Sequence, residues 1–221
     1  MSDLGKIHSI ESFATFEGAG IRTAVFMQGC PLRCVYCHNP DTHPVSSGSQ
    51  YTSDSLVEKA LRFKPYFGKD GGVTFSGGEP LLQAEFLLEC TEKLNGLGIN
   101  CAVDTSACIL TDTVKELYKK CDFIIVDLKF FNKEDYIKHT KTDCFDTVIA
   151  SLEFLAKNNI PVILRTVIIP TINDTDFHKR QYAEIASRFK NITAHEFKPF
   201  HTMGFQKYEE LGIENPLKHL Q

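Results

Sequence analysis

The alternation of strand-like and helix-like segments constrains the fold of this 221-residue chain more than any other feature. Apolar runs rich in Val, Ile and Phe alternate with segments of helical periodicity. The predicted strands cover residues 21–28, 72–75, 99–103, 123–128, 162–169 and 192–197. The predicted helices cover residues 53–62, 81–94, 112–119, 144–158 and 174–190. Six repeats of this βα type predict a parallel sheet covered by helices.

Two parallel architectures fit this pattern, an open doubly wound sheet and a full or partial barrel. In both, ligands bind at the carboxyl ends of the strands. Polar residues follow or end each predicted strand, at positions 29–39, 76–80, 104–106, 127–129, 165 and 198–201. A barrel gathers six strand ends around one site more readily than an open sheet does, which favours the barrel.

Cys30, Cys34 and Cys37 form a C-x3-C-x2-C motif directly after the first predicted strand. Three thiolates can hold three irons of a 4Fe-4S cluster and leave the fourth iron open for another ligand. A structural zinc site is the alternative, with His38 as its fourth ligand. No second C-x2-C or H-x3-H pair follows downstream, so the spacing favours the cluster over zinc.

The other cysteines form no second metal-binding motif. They are Cys90, Cys101, Cys108, Cys121 and Cys144. Most are expected to be buried, unreactive thiols, because cysteine in helical and strand patterns behaves as a small hydrophobic residue. Cys108 fits this expectation least well, since it follows a polar turn.

Composition and charge exclude several classes of protein. The net charge is −4 and the lysines are scattered, which argues against nucleic acid as a partner. The longest apolar runs are too short to cross a membrane. Residues 1–10 lack the apolar core of a signal peptide and the cysteine spacing is uneven, so a reducing cytoplasm is expected. Length predicts a single domain over residues 1–221.

The strand-end residues also have ordinary structural interpretations. Gly77 and Gly78 would fit a tight turn, although a glycine pair also lets a ligand lie against bare backbone. Asp104 could cap a helix. Asp127 ends an apolar strand and therefore needs a partner, either Lys129 or a ligand. His201 could be a surface histidine.

The stretch from Gly18 to Asn39 resembles the signature of the activases of glycyl radical enzymes, in the radical S-adenosylmethionine (SAM) superfamily. Its Gly-x-Gly, the following basic residue, the Gly before the first cysteine and the Asn after the last are in register. Further similar motifs lie at 76–79, 104–105, 127–129 and 199–201. The family's usual Gly-Pro-Gly is Gly18-Ala19-Gly20 here, which removes a rigid φ angle from that turn.

This resemblance implies a partial (β/α)6 TIM-like barrel with outer helices, in which Cys30, Cys34 and Cys37 hold one 4Fe-4S cluster. The residues it implies for SAM binding are Tyr36, His38, Gly78, Asp127, Leu128, Lys129 and His201. It also implies a monovalent cation, Na⁺ or K⁺, at Asp104, Thr105 and Asp127. Arg165 is a further candidate partner for a carboxylate. No catalytic side chain is implied beyond the cluster and SAM.

The implied reaction is reductive cleavage of SAM to a 5′-deoxyadenosyl radical, which takes a hydrogen atom from one glycine of a partner enzyme. The short, cysteine-free connection at 40–52 favours pyruvate formate-lyase as that partner, and thus a role in anaerobic glucose metabolism. A flavodoxin or ferredoxin-type electron donor and a monomeric state are also expected, with residues 198–221 near the barrel mouth. The alternatives are activation of another glycyl radical enzyme, a small-molecule or RNA-modifying radical SAM enzyme, and a zinc-stabilised binding module.

Overall fold

The computed structural model describes residues 4–220 as one eight-stranded sheet with helices between its parallel strands. The strands are β1 (Gly5–Ala14), β2 (Arg22–Met27), β3 (Ser49–Tyr51), β4 (Gly72–Gly77), β5 (Asn100–Thr105), β6 (Phe123–Asp127), β7 (Val162–Ile168) and β8 (Ile192–Pro199). The helices are α1 (Ser53–Leu61), α2 (Ala84–Gly96), α3 (Asp112–Lys120), α4 (Lys133–Thr140), α5 (Phe145–Lys157), α6 (Asp176–Ser187) and α7 (Phe205–Glu210).

The strand order distinguishes between the two architectures. It runs β3-β1-β2-β4-β5-β6-β7-β8, so the six parallel strands lie side by side in chain order. A doubly wound sheet would reverse direction at a switch point. Because crossovers between parallel strands are right-handed, steady progression in one direction places the connecting helices on one face. The sheet is open, and the partial-barrel prediction is confirmed.

All predicted strands and helices are present, within a few residues of their predicted bounds. Sequence patterns missed the elements β1, β3, α4 and α7. β1 pairs antiparallel with β2, and β3 pairs antiparallel with the other edge of β1. The outer edge of β2, the first parallel strand, is therefore paired with β1, and β3 extends the sheet beyond β1.

The segment between β1 and β2 lies across the inner face of the sheet. The Thr74 hydroxyl donates a hydrogen bond to the Glu17 carbonyl at 2.7 Å, and the Arg165 guanidinium donates to the Phe16 carbonyl. Gly18 has a φ of +117°, and a Cβ there would lie 2.6 Å from the Phe123 ring. This segment lies beneath the strand ends, and a glycine is needed at position 18, where the segment passes the Phe123 ring.

Arg22, the first residue of β2, anchors the segment between β1 and β2. Its side chain is fully buried and donates to Thr74 Oγ1 at 2.6 Å, to Asn100 Oδ1 at 2.8 Å and to the Val73 carbonyl at 2.9 Å. Burial lowers the pKa of Arg22 to about 10, although nearby acidic groups oppose that shift. The basic residue of the signature is therefore a structural anchor.

One hydrophobic core runs through the described residues, from Ile7 to Leu217. The single domain over residues 1–221 stays a prediction, since residues 1–3 and 221 lie outside the described part. Within residues 4–220, no helix is long and apolar enough to cross a membrane.

Candidate cofactor site

A cavity of about 270 Å³ joins the cysteine loop to the carboxyl ends of the parallel strands. Most of the predicted site residues line it: Cys30, Cys34, Tyr36, Cys37, His38, Gly78, Asp104, Thr105, Asp127, Lys129 and Arg165. Leu128 and His201 are the two predicted residues outside this lining. The polar strand ends thus converge with the cysteine loop in one place.

The cysteine loop is held by backbone hydrogen bonds at its first turn. Gly29 has a φ of +99°; its N–H donates to the Thr42 carbonyl and its carbonyl accepts from Glu79 N–H, both at 2.8 Å. Cys30, Cys34 and Cys37 are free and partly exposed toward the cavity. Burial raises the pKa of each thiol, that of Cys30 to about 12. As free thiols they would stay protonated, and a positively charged metal centre would favour their deprotonation.

The zinc alternative depends on His38 as the fourth metal ligand. In the structure, this histidine contacts His201 instead. Its ring stacks on His201 with ring centroids 3.8 Å apart, and its Nε2–H donates to the His201 carbonyl at 3.0 Å. Burial, with the nearby His201, lowers the pKa of His38 to about 4. Across residues 4–220, no three His, Cys, Asp or Glu side chains are placed to bind one metal ion. The loop gives no support to a four-ligand zinc site.

Gly78 is required by close backbone packing. Its N–H donates to the Met27 carbonyl at 3.0 Å, and a Cβ on it would lie 2.3 Å from the Gly29 carbonyl oxygen. The turn after β4 is therefore pressed against the cysteine loop. An ammonium group only donates hydrogen bonds, so a ligand ammonium at Gly78 would contact its carbonyl oxygen.

Glu79 is fully buried and joins the turn after β4 to the end of β5. It accepts hydrogen bonds from Thr105 Oγ1 at 2.6 Å, from the N–H groups of Leu81 and Ser106 at 3.0 Å each, and from the Ser106 hydroxyl. Burial raises the pKa of Glu79, and these donors oppose the shift. The sequence alone indicates only that this residue belongs to the polar segment at 76–80.

Asp127 finds the partner that its apolar strand required. Lys129 Nζ donates to Asp127 Oδ2 at 2.6 Å, and both side chains lie mostly buried in the cavity wall. Burial would lower the pKa of Lys129, but the charge of Asp127 and its hydrogen bond raise it well above its usual value. The lysine is therefore a fixed positive charge beside the cysteine loop.

Arg165 of β7 is the register partner of Asp127 on β6, and its side chain links β5, β7 and β8 at the cavity. Its Nη1 donates to Asp104 Oδ2 at 3.1 Å and its Nε donates to Glu196 Oε2 at 3.0 Å. Burial raises the pKa of Asp104, and the charges of Asp127 and Glu17 raise it further despite the arginine. The wall therefore carries more negative charge than Arg165 compensates.

Glu17 is a site residue that sequence patterns missed. It lines the cavity beside Asp104, and its buried Oε2 has no hydrogen-bond partner in the structure. It stands before the Gly18-Ala19-Gly20 turn, in a segment without helix or strand periodicity. Its position directly next to the recognised motif is the one signal that could have identified it.

Tyr36, Leu128 and His201 occupy different surroundings. The Tyr36 side chain is buried in the cavity lining and its hydroxyl has no hydrogen-bond partner. Leu128 points into the hydrophobic core with no exposed surface, so only its backbone could contact a ligand. His201 is exposed, and it reaches the site through the His38 ring.

Helix α7 packs the C-terminal segment onto the cysteine loop. The Tyr208 hydroxyl donates to the Cys37 carbonyl at 3.1 Å. Lys207 Nζ donates to Asn39 Oδ1 at 2.8 Å and pairs with Asp41 at 2.9 Å. The position of residues 198–221 near the barrel mouth stays a prediction.

The fold and the site together define an α/β partial barrel that presents three free cysteines and polar strand ends to one cavity. The model of the Radical SAM superfamily matches residues 24–180, from within β2 to within α6. A protein named pyruvate formate-lyase-activating enzyme from Clostridium pasteurianum is 40% identical over 221 residues, covering 99% of this chain and 91% of that protein. One of the same name from Listeria monocytogenes serovar 1/2a is 35% identical over 225 residues, covering 99% and 90%. The chain belongs to the radical SAM superfamily, in the family of the pyruvate formate-lyase-activating enzymes.

Solved structures support the same fold. A domain of pyruvate-formate lyase-activating enzyme from Bacteroides vulgatus is 24% identical, with a TM-score of 0.55 over 65% of this chain and 96% of that one. Streptococcus suis SuiB bound to the precursor peptide SuiA is 14% identical, with a TM-score of 0.63 over 78% of this chain and 37% of that one. Membership of the superfamily implies a 4Fe-4S cluster and SAM as cofactors.

Proposed function

We propose that this protein is an activating enzyme that uses a 4Fe-4S cluster and SAM to install a glycyl radical on pyruvate formate-lyase. The observation that carries the proposal is the single cavity in which three free cysteines meet Gly78, Asp127 and Lys129. Near-full-length similarity to proteins named pyruvate formate-lyase-activating enzyme supports this choice among radical SAM functions.

The donor set fits a cluster with one open iron. Cys30, Cys34 and Cys37 would supply three thiolates, and His38, next to the last of them, is engaged with His201. Bound together, the cluster and SAM supply a one-electron cleavage that ends in removal of a hydrogen atom from carbon. The protein's part is to bind, orient and shield these groups.

In the proposed SAM contacts, each charged group of SAM meets a protein group of complementary charge or polarity. The Gly78 carbonyl accepts from the ammonium group, while Lys129, held by Asp127, attracts the carboxylate. Tyr36 offers a buried hydroxyl without a partner, which fits a polar group of the cofactor. The stacked rings of His38 and His201 offer an aromatic surface for adenine, and Leu128 contributes only backbone.

A monovalent cation at Asp104, Thr105 and Asp127 is part of the proposal. Its support is electrostatic: Glu17 adds a third carboxylate to the cavity lining, against two basic side chains. The Thr105 hydroxyl donates to Glu79, so this residue would use its carbonyl oxygen to bind Na⁺ or K⁺. A cation there would also offset the carboxylate of SAM.

The wider setting follows from the same proposal. The protein substrate is a glycine-containing loop of pyruvate formate-lyase, and the electron donor is of the flavodoxin or ferredoxin type. The enzyme acts as a monomer in the cytoplasm, as one domain, and in anaerobic glucose metabolism.

Deuterium transfer tests the proposal. Pyruvate formate-lyase carrying glycine deuterated at the α-carbon is mixed anaerobically with the reconstituted protein, SAM and reductant, and the mass of the released 5′-deoxyadenosine is measured. One deuterium in this product is the expected result, and the matched control is partner enzyme in which the target glycine is alanine. Unlabelled 5′-deoxyadenosine would assign the protein another substrate, and transfer from a different glycyl radical enzyme would identify it.

A further inference from the structure

Lys207 of α7 contacts the side-chain amide of Asn39, two residues after Cys37. Its Nζ donates to Asn39 Oδ1 at 2.8 Å and to Asp41 Oδ1 at 3.1 Å, and it pairs with Asp41 Oδ2 at 2.9 Å. The lysine side chain is 34% exposed, so most of its surface is removed from solvent. The ion pair with Asp41 therefore fixes the ammonium group at the point where it meets Asn39.

Asp41 is itself held in place by the first two strands. Nε2 of His8, in β1, lies 2.9 Å from Asp41 Oδ2. Nε2 of Gln28, the residue after β2, donates to the Asp41 carbonyl at 3.0 Å. The carboxylate that positions Lys207 is thus tied to the sheet, and the contact between Lys207 and Asn39 has a rigid support.

The ammonium group of Lys207 determines which way the Asn39 amide faces. Lysine offers only donors, so the amide atom that contacts it must be the acceptor oxygen. The amide nitrogen, on the other branch of the same planar group, donates to no group within residues 4–220. Asn39 lines the cofactor cavity together with Cys30 and Cys37. Two N–H donors are therefore left without a protein partner beside the cysteines.

We infer that Lys207 is a positioning residue, which holds the Asn39 amide so that its nitrogen donates a hydrogen bond to a sulfur of the bound 4Fe-4S cluster. An amide nitrogen only donates, and the sulfurs of a cluster and of its ligands accept. Asn39 follows the proposed ligand Cys37 so closely that these sulfurs are the acceptors nearest to it along the chain. The inference rests on the cluster that superfamily membership implies, and it does not depend on the protein substrate.

This arrangement has two effects on the cluster. Reduction adds negative charge, so a hydrogen bond to sulfur and a nearby cation both favour the reduced state and raise the reduction potential. Without Lys207, the Asn39 amide is free to rotate and to present its oxygen to the cavity. Loss of Lys207 should therefore lower the potential twice over, because it removes a charge and releases the amide.

Pulsed electron paramagnetic resonance of the reduced cluster tests the contact directly. The full chain is produced with ¹⁵N in the side-chain amide of asparagine, reconstituted anaerobically and reduced by one electron without SAM. Asn39 is the one asparagine among the described residues that line the cavity, so a ¹⁵N hyperfine coupling should come from its amide. Asn39→Asp, which keeps an oxygen acceptor for Lys207, should lose this coupling. A wild-type spectrum without the coupling would overturn the inference, whether or not the variants fold.

The midpoint potential of the cluster tests the role of Lys207. Lys207→Met should shift this potential to a more negative value and weaken the ¹⁵N coupling. The matched control Lys218→Met removes an exposed lysine of the same C-terminal segment and should change neither.

A double-mutant cycle separates positioning from charge. The shift caused by Lys207→Met should be smaller in Asn39→Ala protein, because only the charge of the lysine is lost there. Neither measurement involves pyruvate formate-lyase, so a failure of the proposed activation reaction would leave both results unchanged. Equal shifts in the two backgrounds, or an undiminished ¹⁵N coupling in Lys207→Met, would overturn the positioning role.

Discussion

Ser106 donates two hydrogen bonds to Glu79, one from its backbone N–H at 3.0 Å and one from its hydroxyl. These bonds tie the end of β5 to the turn after β4, where Gly78 meets the cysteine loop. A buried carboxylate with several donors is strongly coupled to its surroundings, because each donor loses its partner if the carboxylate is removed. Glu79 is therefore a positioning residue of the site.

Replacement of this carboxylate should be costly. Glu79→Ala leaves the Thr105 and Ser106 donors buried without partners and should lower the free energy of unfolding by about 2–4 kcal/mol. Urea unfolding of the full chain measures this, with Glu85→Ala as control. Glu85 is exposed in the first turn of α2, so its removal should cost about 0.5 kcal/mol. Equal losses in both variants would refute the positioning role.

A methyl group on Gly78 should separate the turn after β4 from the cysteine loop. The added Cβ would lie 2.3 Å from the Gly29 carbonyl oxygen, so Gly78→Ala should destabilise the protein by about 1–3 kcal/mol and reduce the iron bound after reconstitution. Gly96→Ala is the matched control, since nothing lies within 4 Å of a Cβ there. That control should be neutral or stabilising by up to about 1 kcal/mol. A Gly78→Ala protein with unchanged stability and iron content would contradict this packing argument.

The ion pair between Asp41 and Lys207, which attaches α7 to the cysteine loop, should weaken as the pH falls. Burial would raise the pKa of Asp41, but hydrogen bonds and charges from Lys207 and His8 outweigh it and hold this pKa below its ordinary value of 3.8. The unfolded chain thus binds the proton more tightly, so the stabilisation is present above pH 3.8 and is lost as the pH falls through the lower folded pKa.

The variant Asp41→Asn isolates this contribution. Because the Asp41 side chain is about one quarter exposed, its loss should cost only about 0.5–1 kcal/mol at pH 7. The difference from wild type, followed by urea unfolding from pH 7 to pH 3, should shrink toward the acid end. Asp54→Asn removes the exposed pair with Lys93 and should change little at any pH. A wild-type advantage that grows in acid would reverse the predicted sign.

The cysteines should separate into two groups by iron binding. Cys30→Ala, Cys34→Ala and Cys37→Ala should each lose the reconstituted iron and sulfide, because each removes a proposed cluster ligand from the cavity. Cys90→Ala should retain both, since this thiol is fully buried in α2. Analysis of iron and sulfide per chain measures the difference. Equal loss in all four variants would contradict this division of the cysteines.

The parallel strands and the convergence of their polar ends were predictable from sequence, because apolar runs ending in polar residues have a strong pattern. The missed elements lack such a pattern. Helix α4 buries only Tyr136 and Thr140, so its apolar face is narrow, although Asn132 caps it by accepting from the Asp135 N–H. β1 is paired antiparallel near the sheet edge, and its alternation of apolar and polar residues is incomplete.

Residue roles were less predictable than residue positions. The partnership of Asp127 with Lys129 follows from a charge at the end of an apolar strand. The bonds of Glu79 could not be predicted, because Thr105 and Ser106 approach it from another strand and only tertiary structure brings them together. The stacking of His201 on His38 likewise depends on the path of the C-terminal segment.

Electron paramagnetic resonance of the partner enzyme tests the central claim most directly. Reconstituted protein, SAM and reductant are incubated with pyruvate formate-lyase in the absence of oxygen. The account predicts the doublet signal of a glycyl radical with wild-type protein, and no radical with Cys34→Ala under the same conditions. A wild-type sample that cleaves SAM in the presence of pyruvate formate-lyase yet produces no doublet would contradict the claim.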